Sequence, residues 1–261
     1  MSPRPAASRR VRRYQAFGVC FSIEGALPRD AERLATALPP GVRAAPADAL
    51  LSRAYCVSST RRGLSLDADG VALATDASLA ALLDALEGDL ALHVAALAPA
   101  HVFIHAGVVA HRGRAIVLPG RTFSGKSTLV EGLLARGAVY YSDEYAVIDR
   151  EGRVLPYPRP LSLRRARGPS RRVRPARHGR RPIRVGWVYG LKFSATADAL
   201  AVSPISRGRA ALLLMDNAVA ARLAPRRVLS ALRAAVEDAA GWVGVRGAAK
   251  HAARRILDDC Q

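Results

Sequence analysis

The spacing of apolar and polar positions predicts an alternation of strands and helices along most of the chain. Leu82, Leu86 and Leu90 lie four residues apart, which is typical of one face of a helix that runs from about 78 to 97. Continuous apolar runs at 101–110 and 115–118, separated by a polar turn, predict two strands joined as a hairpin. This alternation is the pattern of an α/β protein.

Shorter segments follow the same rules, and Pro39, Pro40, Pro99 and Gly137 mark places where helices end. Further strands are expected at 14–24, 53–58, 62–66, 71–75, 138–142 and 183–194, with a hairpin at 147–154, and further helices at 29–38, 129–136, 208–221, 225–240 and 248–258.

Composition divides the chain into regions. Residues 1–13 carry five arginines and are expected to form a basic, disordered tail, followed by a small α+β module at 14–98 without a recognisable chemical motif. A second domain is expected at 99–261. Inside it, residues 164–184 hold ten arginines and three prolines, which favours a mobile, low-complexity loop.

The net charge of +19 changes this picture less than its size suggests. Only three of the 40 basic residues are lysines, so the excess looks like a bias towards arginine on a solvated surface as much as a phosphate-binding face. Aromatic residues make up 5% of the chain and do not alternate with the arginine runs, which argues against single-stranded nucleic acid as the partner.

Other sequence features exclude further classes. No run of 18 apolar residues exists, so no membrane-spanning helix is expected, and residues 1–13 lack the apolar segment of a secretory signal. Cys20, Cys56 and Cys260 are odd in number and widely spaced, which fits neither a disulfide framework nor a zinc site. These observations favour a cytoplasmic protein.

One motif carries recognisable chemistry. The run Gly120-Arg121-Thr122-Phe123-Ser124-Gly125-Lys126-Ser127, followed by Thr128, matches the phosphate-binding pattern G-x-x-x-x-G-K-[ST]. Glycines allow the backbone N–H groups to surround a phosphate, and the following helix directs its positive end at the same group. In this pattern the Lys126 ammonium binds the β- and γ-phosphates of a nucleotide, and the Ser127 hydroxyl binds Mg²⁺.

A phosphate-binding loop that acts on a nucleotide also needs a carboxylate. Asp143 and Glu144 follow the first strand after the loop's helix, and strand ends of a parallel sheet gather at one crevice. They are therefore the candidates for general base and metal support, and the alternative is that they only form a turn.

Together these motifs resemble the catalytic domain of the HPr kinase/phosphorylase family, particularly its HPr-kinase-related members, some of which modify lasso peptides. The resemblance covers roughly residues 101–160 and, more weakly, 200–221. His105 lies 21 residues before Lys126 and Asp143 lies 17 residues after it, as in the family pattern. The segment around Gly208 and Arg209 is similar to a further family motif.

The resemblance implies roles for these residues. Asp143 would be the base that accepts a serine proton, with His105 beside it, while Lys126 would bind phosphate. Arg209 would stabilise the transferred phosphoryl group, and Ser127 with Glu144 would hold the metal. The family's later metal-binding glutamate has no counterpart here, because no acidic residue occurs between Glu151 and Asp198.

Three functions therefore stay open. The first is an ATP- and Mg²⁺-dependent kinase that phosphorylates a serine of a small protein or peptide and, by resemblance, forms a homo-oligomer such as a hexamer. The second is a nucleotide-binding ATPase or adaptor in a peptide-maturation or regulatory complex. The third, nucleic-acid binding through the arginine runs, predicts a steep salt dependence.

Overall fold

The computed structural model describes residues 11–25, 31–59, 61–120, 124–163, 171–197 and 199–260. These residues form a mixed α/β protein with two compact units, which divide between Ala100 and His101. None of the helices among the described residues is long and apolar enough to cross a membrane.

The first unit is a mostly antiparallel sheet packed against a long helix. In chain order its elements are β1 (Val11–Ala16), β2 (Val19–Gly25), α1 (Ala31–Ala37), β3 (Arg43–Ala44), β4 (Arg53–Ser59), β5 (Leu64–Ala68), β6 (Val71–Ala77) and α2 (Leu79–Leu97). The strands lie in the order β3-β1-β2-β4-β5-β6. The predicted apolar face of α2 is confirmed, since Leu82, Leu86 and Leu90 are fully buried, and Ser78 caps the helix by accepting a hydrogen bond from the N–H of Ala81.

The single strand expected at 14–24 is wrong, because the chain reverses at Phe17 and Gly18. Both residues have positive φ (49° and 84°), which gives a tight turn between β1 and β2. The sequence signal was weak because phenylalanine rarely adopts this conformation. The hairpin also takes residues 11–13 of the expected basic tail into β1, whereas residues 1–10 lie outside the described residues.

A polar network crosses the first unit beneath α2. Tyr55 donates to Asp89 at 2.7 Å, and Arg53 Nη1 lies 3.2 Å from His93 Nδ1. A guanidinium can only donate, so Nδ1 accepts and Nε2 carries the proton of a neutral imidazole. The Nε2–H then donates to Ser52 Oγ at 2.9 Å, and the Ser52 hydroxyl donates to the carbonyl of Cys20.

This network predicts that the protein loses stability in mild acid. Burial and then the charge of Arg53 lower the pKa of His93 below its ordinary 6.5. The stability from neutral His93 is therefore complete above that value and is lost as the pH falls through the lowered pKa. Between about pH 7.5 and about pH 5.5, the melting temperature of the native chain should fall more than that of His93→Gln.

Circular dichroism of the full chain measures this difference, and His251→Gln is the matched control because His251 is exposed. Parallel pH profiles for the native chain and His93→Gln would contradict the assignment.

The second unit contains the larger sheet and the remaining helices. Its elements are β7 (Val102–His111), β8 (Arg114–Pro119), α3 (Lys126–Leu134), β9 (Val139–Ser142), β10 (Tyr145–Ile148), β11 (Arg153–Leu155), β12 (Leu161–Leu163), β13 (Arg171–Val173), β14 (Ile183–Phe193), β15 (Ala201–Ile205), α4 (Arg207–Met215), α5 (Pro225–Ala235), β16 (Ala240–Arg246) and α6 (Ala249–Asp259).

The strands of the large sheet lie in the order β11-β10-β7-β8-β14-β16-β15, and β9 also pairs with β7. Strands β8, β14 and β16 are parallel, so their carboxyl ends lie at one edge, which we call the loop edge because the phosphate-loop motif follows β8 there. One apolar core contains residues of α4 and α5, and a second contains residues of α3 and α6. Buried helices on both faces explain the continuous apolar runs of β7 and β8.

Sequence patterns misplaced several boundaries in this unit. The helix expected at 225–240 ends at Ala235, and Ala240–Arg246 forms the interior strand β16, while β15 was not expected at all. The small residues of β16 fit a crowded sheet: a Cβ on Gly244 would lie 2.0 Å from the carbonyl oxygen of Ala201.

Part of the segment expected to be a mobile loop is regular structure. Arg171–Val173 forms β13 and pairs with β12, and Ile183 begins β14. Backbone pairing with an adjacent strand stabilises these residues despite their charge. Residues 164–170 of the same segment lie outside the described residues.

Candidate functional site

The phosphate-loop motif lies where sequence reasoning placed it, between a strand and a helix. Strand β8 ends at Pro119 and α3 begins at Lys126. Gly120 and residues 124–128 are described, whereas Arg121, Thr122 and Phe123 of the motif lie outside the described residues. Gly125 occupies the N-cap position with a φ of 79°, a conformation that favours glycine.

A larger residue at either glycine of the loop would displace a neighbouring side chain. A Cβ on Gly120 would lie 2.8 Å from Ser124 Oγ, and a Cβ on Gly125 would lie 2.4 Å from the guanidinium Nη2 of Arg246. The Ser124 hydroxyl is buried and has no hydrogen-bond partner among the described residues. The start of α3 at Gly125 therefore lies close to Arg246 at the end of β16.

Strand β7 carries His105 to the same edge. Ala106 pairs with Pro119, and His105 accepts a hydrogen bond at its carbonyl oxygen from the N–H of Gly120 at 3.0 Å. The N–H of His105 donates to the carbonyl of Asn217 at 2.8 Å, and its ring lies 4.9 Å from that of Tyr145. His105 therefore lies beside Gly120, the first residue of the phosphate-loop motif.

The paired acids lie in the bend between β9 and β10. Ser142 Oγ accepts hydrogen bonds from the N–H groups of Glu144 and Tyr145, at 3.1 Å and 3.0 Å, which fixes this bend. Ser142 pairs with Val108 and Tyr145 pairs with His105, so β7 receives both arms of the bend. Asp143 is thereby placed beside the phosphate loop.

Asp143 is held by three donors. The Ser127 hydroxyl donates to its Oδ2 at 3.0 Å, the Ser162 N–H approaches the same oxygen at 3.2 Å, and the Tyr140 hydroxyl donates to Oδ1 at 2.9 Å. Burial raises the pKa of the Asp143 carboxyl, and the hydrogen bonds from these three groups oppose the rise. The result is a fixed carboxylate with more proton affinity than an exposed aspartate.

Lys126, His105 and Asp143 lie close enough to influence one another. Burial lowers the pKa of the Lys126 ammonium, and the charge of Asp143 opposes this effect. Burial also lowers the pKa of His105, and the charge of Lys126 lowers it further. Both effects favour the neutral form of the His105 imidazole.

Glu144, the other expected metal ligand, contacts Arg159. Its Oε2 lies 3.7 Å from Nε of Arg159, a side chain only 5% exposed. The buried guanidinium needs a counter-charge, which Glu144 supplies. Asp143 instead contacts Ser127, so the described carboxylate nearest to the expected metal ligand is Asp143.

Within one chain, Arg209 lies at the edge of the sheet opposite the loop edge. Strand β15 is antiparallel to β16, so Ile205 pairs with Gly241 at the start of β16, opposite the end that carries Arg246. Arg209 follows Ile205 in the exposed first turn of α4. The chain topology therefore separates Arg209 from Lys126 and Asp143, contrary to the expectation.

Sequence reasoning missed four residues of this region, three of which act through their side chains and Ser162 through its backbone N–H. Tyr140 and Ser162 hold Asp143, Arg159 holds Glu144, and Arg246 donates to the carbonyl of Gly125 at 2.8 Å. Of these, Arg246 had a signal, because it ends an apolar run that contains two glycines. The signal was hidden by the helix expected up to residue 240.

The donor set at this edge suits a magnesium ion bound together with phosphate. Ser127 and Asp143 offer hard oxygen ligands, and magnesium sites beside nucleotides commonly use one or two protein oxygens with the phosphates. Among the described residues, no group of three or more His, Cys, Asp or Glu side chains could hold a metal alone.

Comparisons with known proteins do not identify a relative: no protein family model matches the chain, and no curated protein matches it.

The closeness of Lys126 and His105 predicts a measurable electrostatic effect. Substituting Lys126→Met removes a positive charge, so the pKa of His105 should rise while burial still keeps it below the ordinary value. Titration of the imidazole signals by NMR measures this shift. His111 is the internal control, since burial and Arg112 lower its pKa and Lys126 is not among the causes. An unchanged His105 would contradict the proximity.

Proposed function

We propose that the second unit is a P-loop kinase domain that transfers the γ-phosphoryl group of ATP to a serine hydroxyl of a small protein or peptide. The observation that carries the proposal is the 3.0 Å hydrogen bond from Ser127 to Asp143, beside Lys126 at the start of α3. A phosphate-loop serine next to a fixed carboxylate is the arrangement that phosphoryl transfer requires.

The binding half of the reaction follows from the loop. Backbone N–H groups at the start of α3 and the ammonium of Lys126 would bind the phosphates, and the αL conformation of Gly125 turns the backbone into the helix. A Mg²⁺ held by the Ser127 hydroxyl would neutralise charge on the phosphates.

The transfer half depends on Asp143. The acceptor's serine oxygen bonds to the γ-phosphorus while the bond from that phosphorus to the bridging oxygen breaks, and ADP leaves. The acceptor's hydroxyl proton passes to Asp143, whose pKa is raised by burial. Neutral His105 lies across from Lys126 and contributes no second positive charge to oppose the ammonium.

The charge of the surroundings supports an acidic acceptor. The exposed Arg171 and Arg172 lie on β13, which pairs with the strand of Ser162 beside Asp143, and the sequence has no acid between Glu151 and Asp198. Opposite charge steers encounter and adds to specificity more than to affinity. An acidic peptide that carries a serine is therefore the acceptor class that we propose.

A specific observation also favours the ATPase or adaptor alternative. Three donors already surround Asp143, and both of its oxygens accept a hydrogen bond. A carboxylate so occupied suits metal binding at least as well as it suits accepting a proton. In that case ATP would be hydrolysed to ADP and phosphate without a protein acceptor.

Phosphate transfer separates these functions. The purified full chain, incubated with ATP, Mg²⁺ and serine-containing acidic peptides, should add the mass of one HPO₃ unit to a peptide, as mass spectrometry measures. Lys126→Ala and Asp143→Asn should each lower the rate by about 100-fold or more, because they remove phosphate binding and the base.

Lys250→Ala and Asp238→Asn are the matched controls, because both residues are exposed. ADP formation without a labelled peptide would support the ATPase, and full transfer by Asp143→Asn would refute the assignment of the base.

The pH dependence tests the hydrogen bonds of Asp143 separately. The transfer rate should fall as the pH drops through the raised pKa of Asp143, because the protonated carboxyl cannot accept a proton. The bond from Tyr140 lowers that pKa, so Tyr140→Phe should move the fall to higher pH. Rate profiles for the two proteins give the comparison, and coincident acid limbs would count against Asp143 as the base.

A further inference from the structure

Arg246 is the last residue of β16 and lies at the loop edge of the sheet. Its side chain is buried, with 4% exposed. Nη2 donates to the carbonyl oxygen of Gly125 at 2.8 Å, Nη1 donates to that of Gly247 at 3.0 Å, and the guanidinium lies 5.2 Å from the ring centre of Phe193. These contacts fix the planar group against the phosphate loop.

The charge of Arg246 is not balanced inside the protein. Among the described residues, no carboxylate lies within ion-pair distance of it, and its partners are two neutral carbonyls and a ring. Burial of a guanidinium without an anion is costly, and burial lowers the pKa of Arg246 accordingly. Such a group is normally matched by an anion from a ligand or partner.

Two further polar side chains lie beside Arg246. Arg246, Lys126 and Ser124 line the same small cavity, together with Tyr189. The Ser124 hydroxyl is buried there without a hydrogen-bond partner among the described residues. The Arg246 guanidinium, the Lys126 ammonium and the Ser124 hydroxyl thus lie close together beside the phosphate-loop motif, and a phosphate group is an anion to which all three can donate.

We propose that Arg246 binds the phosphates of the nucleotide together with Lys126, as a second cation of the same site. A guanidinium has five N–H donors, and the two carbonyl bonds leave the others for phosphate oxygens. The inference rests on the proposed nucleotide site and adds a residue to it. It also explains the link to Gly125, because the same side chain sets the position of the loop that encloses the phosphates.

Calorimetric titration of the full chain tests the inference. The probes are a non-hydrolysable ATP analogue with Mg²⁺ and inorganic tripolyphosphate, which reports phosphate contacts without the nucleoside. Arg246→Gln should weaken the binding of both probes by about tenfold or more, and Arg246→Lys should weaken it less, since lysine keeps the charge but loses the planar fork. Arg254→Gln, an exposed control, should bind like the native chain.

Thermal unfolding without ligand verifies that each variant is folded. If Arg246→Gln does not fold, Arg246→Lys is tested in its place. Binding of both probes by a folded variant within about twofold of the native value would overturn the inference. If Lys126→Ala weakens binding and Arg246→Gln does not, the nucleotide site is supported and the role of Arg246 is refuted. If the native chain binds neither probe, the proposed function fails as well.

Discussion

The candidate site depends on the pairing of strand β7 on both of its sides. On one side β7 pairs with β8, which delivers the phosphate loop, and on the other it pairs with β9 and β10, which deliver the bend with Asp143. Gly107 of β7 allows this crowding, since a Cβ there would lie 2.7 Å from a methyl group of Val130 in α3. The helix, the loop and the acidic bend therefore meet at one edge because a single buried strand has neighbours on both sides.

The candidate site places charged groups in a buried environment, where a charged form is less stable than in water. Burial raises the pKa of Asp143 and lowers those of Lys126 and His105, so each group is displaced towards its neutral form. Such shifts are typical of sites that move protons or bind charged ligands, because a structure selected for stability alone avoids them. The hydrogen bonds to Asp143 reduce the rise of its pKa without abolishing it.

Much of the candidate site could be predicted from the sequence, because its parts are local. The phosphate loop, the helix that it starts and the acids after β9 follow from turn and capping rules over short stretches. Long-range contacts decided the rest: the antiparallel β15 separates Arg209 from the loop, and Glu144 pairs with the buried Arg159. Neither relation has a sequence spacing that could reveal it. The hairpin at Phe17 was missed for a local reason, since its turn uses an unfavourable residue.

The two buried arginines show how the large positive charge of this chain should be interpreted. Of the described arginines, Arg159 and Arg246 are the buried ones, and the others lie at least partly in solvent, where a charge costs little and says little about chemistry. Arg159 has Glu144 within 3.7 Å, whereas Arg246 has only neutral partners. The proposed nucleotide would supply the anion that Arg246 lacks, as Glu144 supplies it for Arg159. The proposed phosphate binding therefore depends on individual cations such as Arg246, and the net charge of +19 is not evidence for it.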